Sequence, residues 1–133
     1  MIDIEPEVFT RLKTAIVAEY PAADVQGVYV NAPSVFPHVS IEMQDSSDVS
    51  EHISQDPTDE HDLCLFDINI YSNKEGTRKS ECKAIAQIVD RVMKSMNFRR
   101  TAFTPVPNLN DATIYRFVAR YRVETDGIYF YRR

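Results

Sequence analysis

Apolar residues recur at helical spacing between Ser80 and Met96, and the residues after them return to the spacing of strands. The helical stripe shares one face and is formed by Ile85, Ile88, Val89, Val92, Met93 and Met96. Asn97 can adopt the left-handed conformation that ends a helix, and Lys94 suits the negative end of the helix dipole. This pattern predicts an amphipathic helix with one buried face.

A strand and a turn containing Pro105 and Pro107 follow this helix, and a second strand comes after them. The second strand alternates: Tyr115, Phe117, Ala119, Tyr121 and Val123 share one face, and Arg116, Val118, Arg120 and Arg122 share the other. We therefore expect the helix and the hairpin to share one apolar core, with a row of arginines facing outward. The residues expected to be buried together are Ile88, Val92, Phe66, Ile68, Phe117 and Tyr121.

The remaining elements are one helix and four strands. The helix is predicted from about Glu5 to Tyr20, with Phe9, Leu12, Ile16 and Tyr20 as its apolar stripe. The strands are predicted at Val25–Val30, Phe36–Met43, Leu63–Tyr71 and Ile128–Arg132. Strands grouped in runs indicate an α+β domain, a largely antiparallel sheet with two main helices packed on one face. The length of 133 residues fits a single domain, 1–133.

A long acidic loop interrupts the strands at residues 44–61. It has almost no apolar residues, no period and a high acid content, which is typical of a mobile solvated loop. His52, His61 and the neighbouring carboxylates match no zinc or EF-hand spacing, so we predict no metal site.

Charge is divided unevenly along the chain. Residues 1–66 carry two basic and thirteen acidic residues, a net charge of −11, whereas residues 67–133 carry thirteen basic and seven acidic residues, a net charge of +6. Two explanations stay open: pairing of charges within the chain, or head-to-tail association of copies, acidic surface on basic surface. The total of −5 argues against an autonomous nucleic-acid-binding protein.

Catalytic chemistry is not indicated. His38 is predicted on an exposed strand face, and the isolated glycines cannot form a phosphate-binding loop. Cys64 and Cys82 are predicted to be reduced thiols in a strand and a helix. The acidic start, MIDIEPEVF, does not resemble a secretory signal, and no apolar run is long enough to span a membrane. We predict a protein that is not an enzyme and that has no cofactor.

The outward arginines are the strongest candidate functional residues. They are Arg116, Arg120 and Arg122, with Arg99 and Arg100 nearby in sequence. Arginines beside tyrosines also occur in sheet-type RNA-binding domains, but Tyr115 and Tyr121 are predicted on the opposite, core face. Arginine suits ion pairs at interfaces, so a subunit contact is the preferred interpretation.

Several segments resemble the tail-terminator, or tail-completion, proteins of tailed bacteriophages and phage-like particles. They are IDIEPEVFTRLKTAI, LFDINIYSN, SECKAIAQIVDRVMKSMNFRR, TPVPNLNDATIYRFVARY and the final IYFYRR. The resemblance implies an α+β subunit without catalytic residues that forms a ring, usually a hexamer, on the head-proximal end of the tail tube. The ring would end tube polymerisation and dock the filled head.

The same resemblance implies partners and a location. The partners would be other copies of the chain, the tail tube protein and head–tail connector proteins, with DNA passing through the ring without specific binding. The location would be the virion tail at the head–tail interface, after assembly in the host cytoplasm. The competing functions are a sheet-based nucleic-acid-binding module, another head–tail connector component and a small enzyme with an unnoticed site.

In such a ring, the acidic loop is expected to project toward the central channel or onto the neighbouring subunit. Its charge would come from Asp45, Asp48, Glu51, Asp56, Asp59 and Glu60. Negative walls would oppose adhesion of the DNA backbone. A disordered loop on the outer surface is the alternative.

Overall fold

A computed structural model describes residues 3–30, 33–48, 62–106, 113–125 and 130–131 of the chain. Two helices and six strands follow one another along these residues. Their order is α1 (Glu5–Glu19), β1 (Asp24–Gln26), β2 (His38–Asp48), β3 (Asp62–Ser72), α2 (Arg78–Ser95), β4 (Arg99–Val106), β5 (Tyr115–Thr125) and β6 (Phe130–Tyr131).

The strands form one sheet in the order β1-β2-β3-β5-β4, and β6 pairs with the end of β5. Strand β1 runs parallel to β2, and every other described pairing is antiparallel. Strands β2, β3 and β5 have 11 residues each and form the centre of the sheet. The predicted α+β class with a largely antiparallel sheet is confirmed.

One face of the sheet, called here the helix face, packs against α1 and α2. Its buried side chains include Val39, Ile41, Phe66, Ile68, Ile70, Phe117, Ala119, Tyr121 and Val123. The alternation predicted for β5 is therefore correct, and Phe66 and Ile68 of β3 are buried as predicted. Ile88 of α2 is buried, whereas Val92 lies half-buried at the margin of the same core. The opposite side is called here the outer face.

Both helices begin and end close to the predicted residues, but the buried residues of α1 differ from the predicted apolar stripe. In α1 the fully buried residues are Val8, Leu12 and Ile16, while Phe9 is half-buried. Helix α2 ends as predicted, because Asn97 has a φ of 66°. The buried stripe of α1 therefore contains Val8 in place of the predicted Phe9.

Strand boundaries differ most at the acidic segment. Strand β2 continues to Asp48, so the first five residues of the predicted loop are strand; residues 49–61 lie outside the described residues. Gln44 forms a bulge between Met43 and Asp45. Strand β1 covers only Asp24–Gln26 instead of the predicted Val25–Val30. The final predicted strand is described only at Phe130–Tyr131.

The prediction that His38 lies on an exposed face is wrong, since its side chain is 1% exposed. The β1–β2 connection passes over this part of the outer face: the backbone N–H of Tyr29 donates to Glu42 Oε2 at 2.9 Å, and Arg116 lies 5.6 Å from the centre of the Tyr29 ring. A parallel pair needs such a crossover. Here the crossover covers residues that alternation alone would expose.

Candidate functional site

In two neighbouring cross-strand rows of the outer face, acids lie on β2 and β3, and arginines lie on β5 and β4. The strand register aligns Asp45, Leu65, Arg122 and Arg99 in one row across the four strands. The next row is Glu42, Asp67, Arg120 and Ala102. Cross-strand partners share a face of the sheet, so the two rows lie side by side on one surface. The surface formed by these eight residues is called here the charged rows. It is acidic at the β2 edge and basic at the β4 edge.

Two β-bulges set this arrangement. The bulge at Gln44 reverses the alternation of β2, which brings Asp45 to the outer face and turns Ser46 toward Cys64, whose thiol lies 3.9 Å from Ser46 Oγ. A second irregularity, at Thr101, places both Arg99 and Ala102 on the outer face. Bulges commonly re-aim side chains at sheet edges. Both edges of the charged rows are shaped in this way.

Arg116 is held inside its own chain. Its Nε and Nη2 atoms donate to Asn69 Oδ1 at 3.1 and 2.8 Å. Its guanidinium also lies 5.6 Å from the ring centre of Tyr29 and 5.7 Å from that of Tyr71, distances at which cations are attracted to aromatic rings. Arg116 therefore fastens the β1–β2 connection to the sheet.

Arg120 and Arg100 each have a carboxylate partner. Arg120 Nε lies 3.2 Å from Asp67 Oδ1, with the Arg120 side chain 57% exposed. Arg100 aligns with Tyr121, on the helix face, and its Nη1 lies 3.5 Å from Asp90 Oδ1 of α2. Of the five predicted interface arginines, the structure thus brings four to the outer face and places Arg100 on the other side of the sheet.

Arg122, unlike Arg116, Arg120 and Arg100, has no side-chain partner among the described residues. Its Nε atom is enclosed and has no hydrogen-bond partner among the described residues, and no described carboxylate pairs with it. Arg99 lies directly opposite on β4, and like charges at opposed positions destabilise a strand pair. Arg99 is exposed and has a contact of its own. The basic end of the charged rows therefore contains a cation whose enclosed donor is unused within the described chain.

Of the six acids predicted to face a channel or a neighbouring subunit, Asp45 and Asp48 lie within the described residues. Asp45 is exposed on β2 and has no ion pair or hydrogen bond with any described residue. Asp48 is the last residue of β2. Glu51, Asp56, Asp59 and Glu60 lie outside the described residues.

A histidine, an aspartate and a serine meet beneath the β1–β2 connection, which sequence reasoning did not find. His38 Nδ1 lies 3.2 Å from Asp24 Oδ2. Ser40 is fully buried, and neither its Oγ nor His38 Nε2 has a hydrogen-bond partner in the described part of the chain. A nucleophilic serine needs a hydrogen-bonded base and access to substrate. This cluster has neither, so its geometry gives no catalytic dyad.

Buried hydroxyl and thiol groups have raised pKa values. Burial, followed by the influence of the nearby Tyr29 hydroxyl, raises the pKa of Tyr71 to about 12, although the charge of Arg116 opposes the shift. Burial, followed by the charge of Glu81, raises the pKa of the Cys82 thiol to about 12. Burial also raises the pKa of Cys64. Both cysteines are free and buried, as predicted, so neither offers a reactive thiolate near neutral pH.

Three large apolar side chains are exposed among the described residues: Val28 at 62%, Tyr29 at 47% and Val35 at 48%. All three belong to the β1–β2 connection, which lies on the same side of the sheet as the charged rows. Tyrosine, arginine and apolar side chains together are typical of the central parts of protein interfaces. The outer face therefore combines apolar and charged contact groups.

Within the described ranges, no three histidine, cysteine, aspartate or glutamate side chains are grouped so that they could hold a metal ion. No helix among the described residues is sufficiently long and apolar to cross a membrane.

Comparison with solved structures identifies chains of similar fold. A chain of the virion of a native gene transfer agent particle superposes with a TM-score of 0.64 and 19% sequence identity, over 89% of this chain and 92% of that chain. The likeness shows that nearly the whole chain shares the fold of a protein from a gene transfer agent virion. No family model and no curated protein matches the sequence.

Proposed function

We propose that this protein is a structural subunit of a phage-like particle, and specifically a tail-terminator subunit. The likeness over 89% of the chain to a chain of a gene transfer agent virion carries the proposal. It agrees with the resemblance of the sequence to tail-terminator proteins. In this role the protein assembles with other virion proteins and acts without catalysis.

The finer proposal is a closed ring, usually of six copies, on the head-proximal end of the tail tube. The ring ends tube polymerisation and presents a docking surface to head–tail connector proteins. A closed ring needs two different patches that meet head to tail. The charged rows support this proposal, because one chain carries an acidic patch and a basic patch on the same face.

The arginines of the outer face are proposed to lie at or near the subunit contact. Arg120 and Arg122 are the main candidates, since Arg116 is engaged with Asn69 and Arg100 with Asp90. The exposed Val28, Tyr29 and Val35 would enlarge the contact with apolar area. The acids of the 44–61 segment remain candidates for the channel wall or the neighbouring copy.

The acidic total charge and the tyrosines argue against the nucleic-acid-binding alternative. Tyr121 is 1% exposed and donates its hydroxyl hydrogen to Asp90, so it cannot stack on a base as sheet-type RNA-binding domains require.

The experiment that tests the ring combines light scattering after size exclusion with electron microscopy of purified tail tubes. We expect an oligomer of ring size, either in solution or at one end of tubes mixed with the protein, and tubes of fixed length when it is present during their polymerisation. Tubes that keep growing and carry no added density at either end would overturn the tail-terminator role. A monomer with salt-dependent affinity for single-stranded oligonucleotides would instead favour the nucleic-acid-binding alternative.

A further inference from the structure

The two ends of the charged rows hold complementary groups that do not pair with each other within one chain. Asp45 on β2 and Arg122 on β5 lie in the same row with β3 between them, which separates their backbones by about 10 Å. Asp45 is exposed and has no ion pair with any described residue. Arg122 has an enclosed Nε that makes no hydrogen bond in the described chain. A buried donor without an acceptor is costly and uncommon.

Both edges of the sheet carry features that hinder direct strand pairing. The N–H of Met43 donates to Glu5 Oε2 at 2.6 Å, so a side chain from α1 already occupies this backbone group of β2. Strand β4 contains Pro105, which has no N–H to offer. Both strands carry irregularities, at Gln44 and Thr101. These features hinder backbone pairing at sheet edges. A neighbouring copy at either edge is therefore expected to make contact through side chains.

We propose that the β2 edge of one copy contacts the β4–β5 edge of the next, with Asp45 of the first copy pairing with Arg122 and its neighbour Arg99 of the second. This inference rests on the proposed ring, and it names the residues that hold adjacent subunits together. A carboxylate of a second copy beside the guanidinium of Arg122 offsets its charge, which no carboxylate of the described residues offsets, and it also reduces the repulsion between Arg99 and Arg122. The contact joins two different edges, so it propagates around a ring instead of stopping at a dimer.

This arrangement also explains the division of roles among the arginines. Arg120 already has Asp67 as a partner at 3.2 Å, whereas Arg122 has no described partner. The subunit contact therefore depends on Arg122 more than on Arg120. Truncating a charge pair across an interface mainly speeds dissociation.

The test uses two charge-reversal variants and their mixture. Asp45→Arg and Arg122→Glu are each expected to lower the ring fraction by about tenfold or more at fixed concentration, because each places like charges across every contact. Mixed in equal amounts, they are expected to form rings again, since arginine at 45 then meets glutamate at 122 and Asp45 meets Arg122 in alternation. Circular dichroism and thermal melting establish that each variant is folded.

Matched controls separate this contact from a general effect of charge. Glu75→Arg reverses an exposed acid outside the sheet and is expected to leave assembly unchanged. A mixture of Arg120→Glu and Asp45→Arg is expected not to recover ring formation.

A cross-linking variant keeps the inference testable even if Arg122→Glu does not fold. Asp45→Cys together with Arg99→Cys should give a ladder of disulfide-linked oligomers on oxidation, while each single variant gives at most dimers. The native Cys64 and Cys82 do not interfere, because both are buried.

The outcomes distinguish the contact from the ring itself. If both reversal variants form rings as the wild type does, and the double-cysteine variant gives no cross-linked ladder, this contact is overturned and the ring role stands. A wild-type protein that forms no ring, alone or on tail tubes, would overturn both. Loss of rings in each variant with recovery in the mixture would support both.

Discussion

The Tyr121 hydroxyl donates a hydrogen bond of 2.9 Å to the Asp90 carboxylate and so joins the central strand β5 to α2. Arg100 and Lys94 approach the same carboxylate at 3.5 and 3.4 Å. Burial and the adjacent Asp90 raise the pKa of Tyr121 well above its usual value. Asp90 therefore gathers one hydroxyl and two cations at the boundary between helix and sheet.

Removal of this hydroxyl should destabilise the fold without disturbing its shape. Tyr121→Phe is expected to lower the free energy of unfolding by about 1.5–3 kcal/mol, the usual range for a hydrogen bond to a charged group. Urea unfolding followed by circular dichroism measures the change. Tyr20→Phe is the control, because the Tyr20 side chain is half-buried and its hydroxyl makes no hydrogen bond with a described residue. Equal effects of the two changes would contradict the assigned role of Asp90.

Core truncations should rank by burial. Ile68→Ala removes a fully buried side chain of β3 and is expected to cost about 2–5 kcal/mol. Val92 lies half-buried at the edge of the core, so Val92→Ala is expected to cost less, about 1 kcal/mol. Thermal melting of both variants tests this order. If neither change lowered stability, the packing of α2 on the sheet would be wrong.

Charge reversal at Arg120 should weaken assembly more than folding. Within one chain Arg120 pairs with Asp67 in a largely solvated setting, and such pairs contribute only ~0.2–1 kcal/mol. At a subunit contact the uncompensated charge is desolvated and costs about 2–5 kcal/mol. We therefore expect Arg120→Glu to melt close to the wild type yet to form fewer rings. Normal rings and normal tail termination with Arg120→Glu would remove Arg120 from the contact.

Alkaline pH should destabilise the protein through Cys82. The pKa of its thiol is raised from 9.0 to about 12, so the folded state binds the proton more tightly than the unfolded state. The associated stability is complete below about pH 9 and is lost as pH rises toward about 12, by up to about 1.4 kcal/mol per pH unit. Urea unfolding of the wild type and of Cys82→Ala between pH 8 and about pH 11 isolates this contribution. Parallel stability–pH curves for the two proteins would contradict it.

The acids of the 44–61 segment other than Asp45 give a separate prediction. Replacing Asp48, Glu51, Asp56, Asp59 and Glu60 by Asn or Gln is expected to leave ring formation largely intact. DNA delivery by the particles is expected to slow, because a less negative channel wall attracts the phosphate backbone more strongly. Delivery at the wild-type rate, or a ring structure with this segment on the outer rim, would end the channel interpretation.

Local patterns in the sequence determined the helices, the strand faces of β3 and β5, and the end of α2 at Asn97. These features depend on periods of 3.6 and 2 residues and on the conformational preference of single residues, which neighbours in sequence specify. The arginine row on β5 and the burial of both cysteines follow from the same periods. For this reason the α+β class and most of the helix-face core were predictable.

Tertiary structure alone decided which charges meet. Alternation gives the face of a side chain but not its cross-strand partner, so the pairing of Arg120 with Asp67 depends on a register between segments more than 50 residues apart. The bulge at Gln44 reversed the alternation and brought Asp45 to the outer face. The β1–β2 connection buried His38, which alternation had left exposed. Strand order, bulges and crossovers are set by contacts between distant parts of the chain, and no local period encodes them.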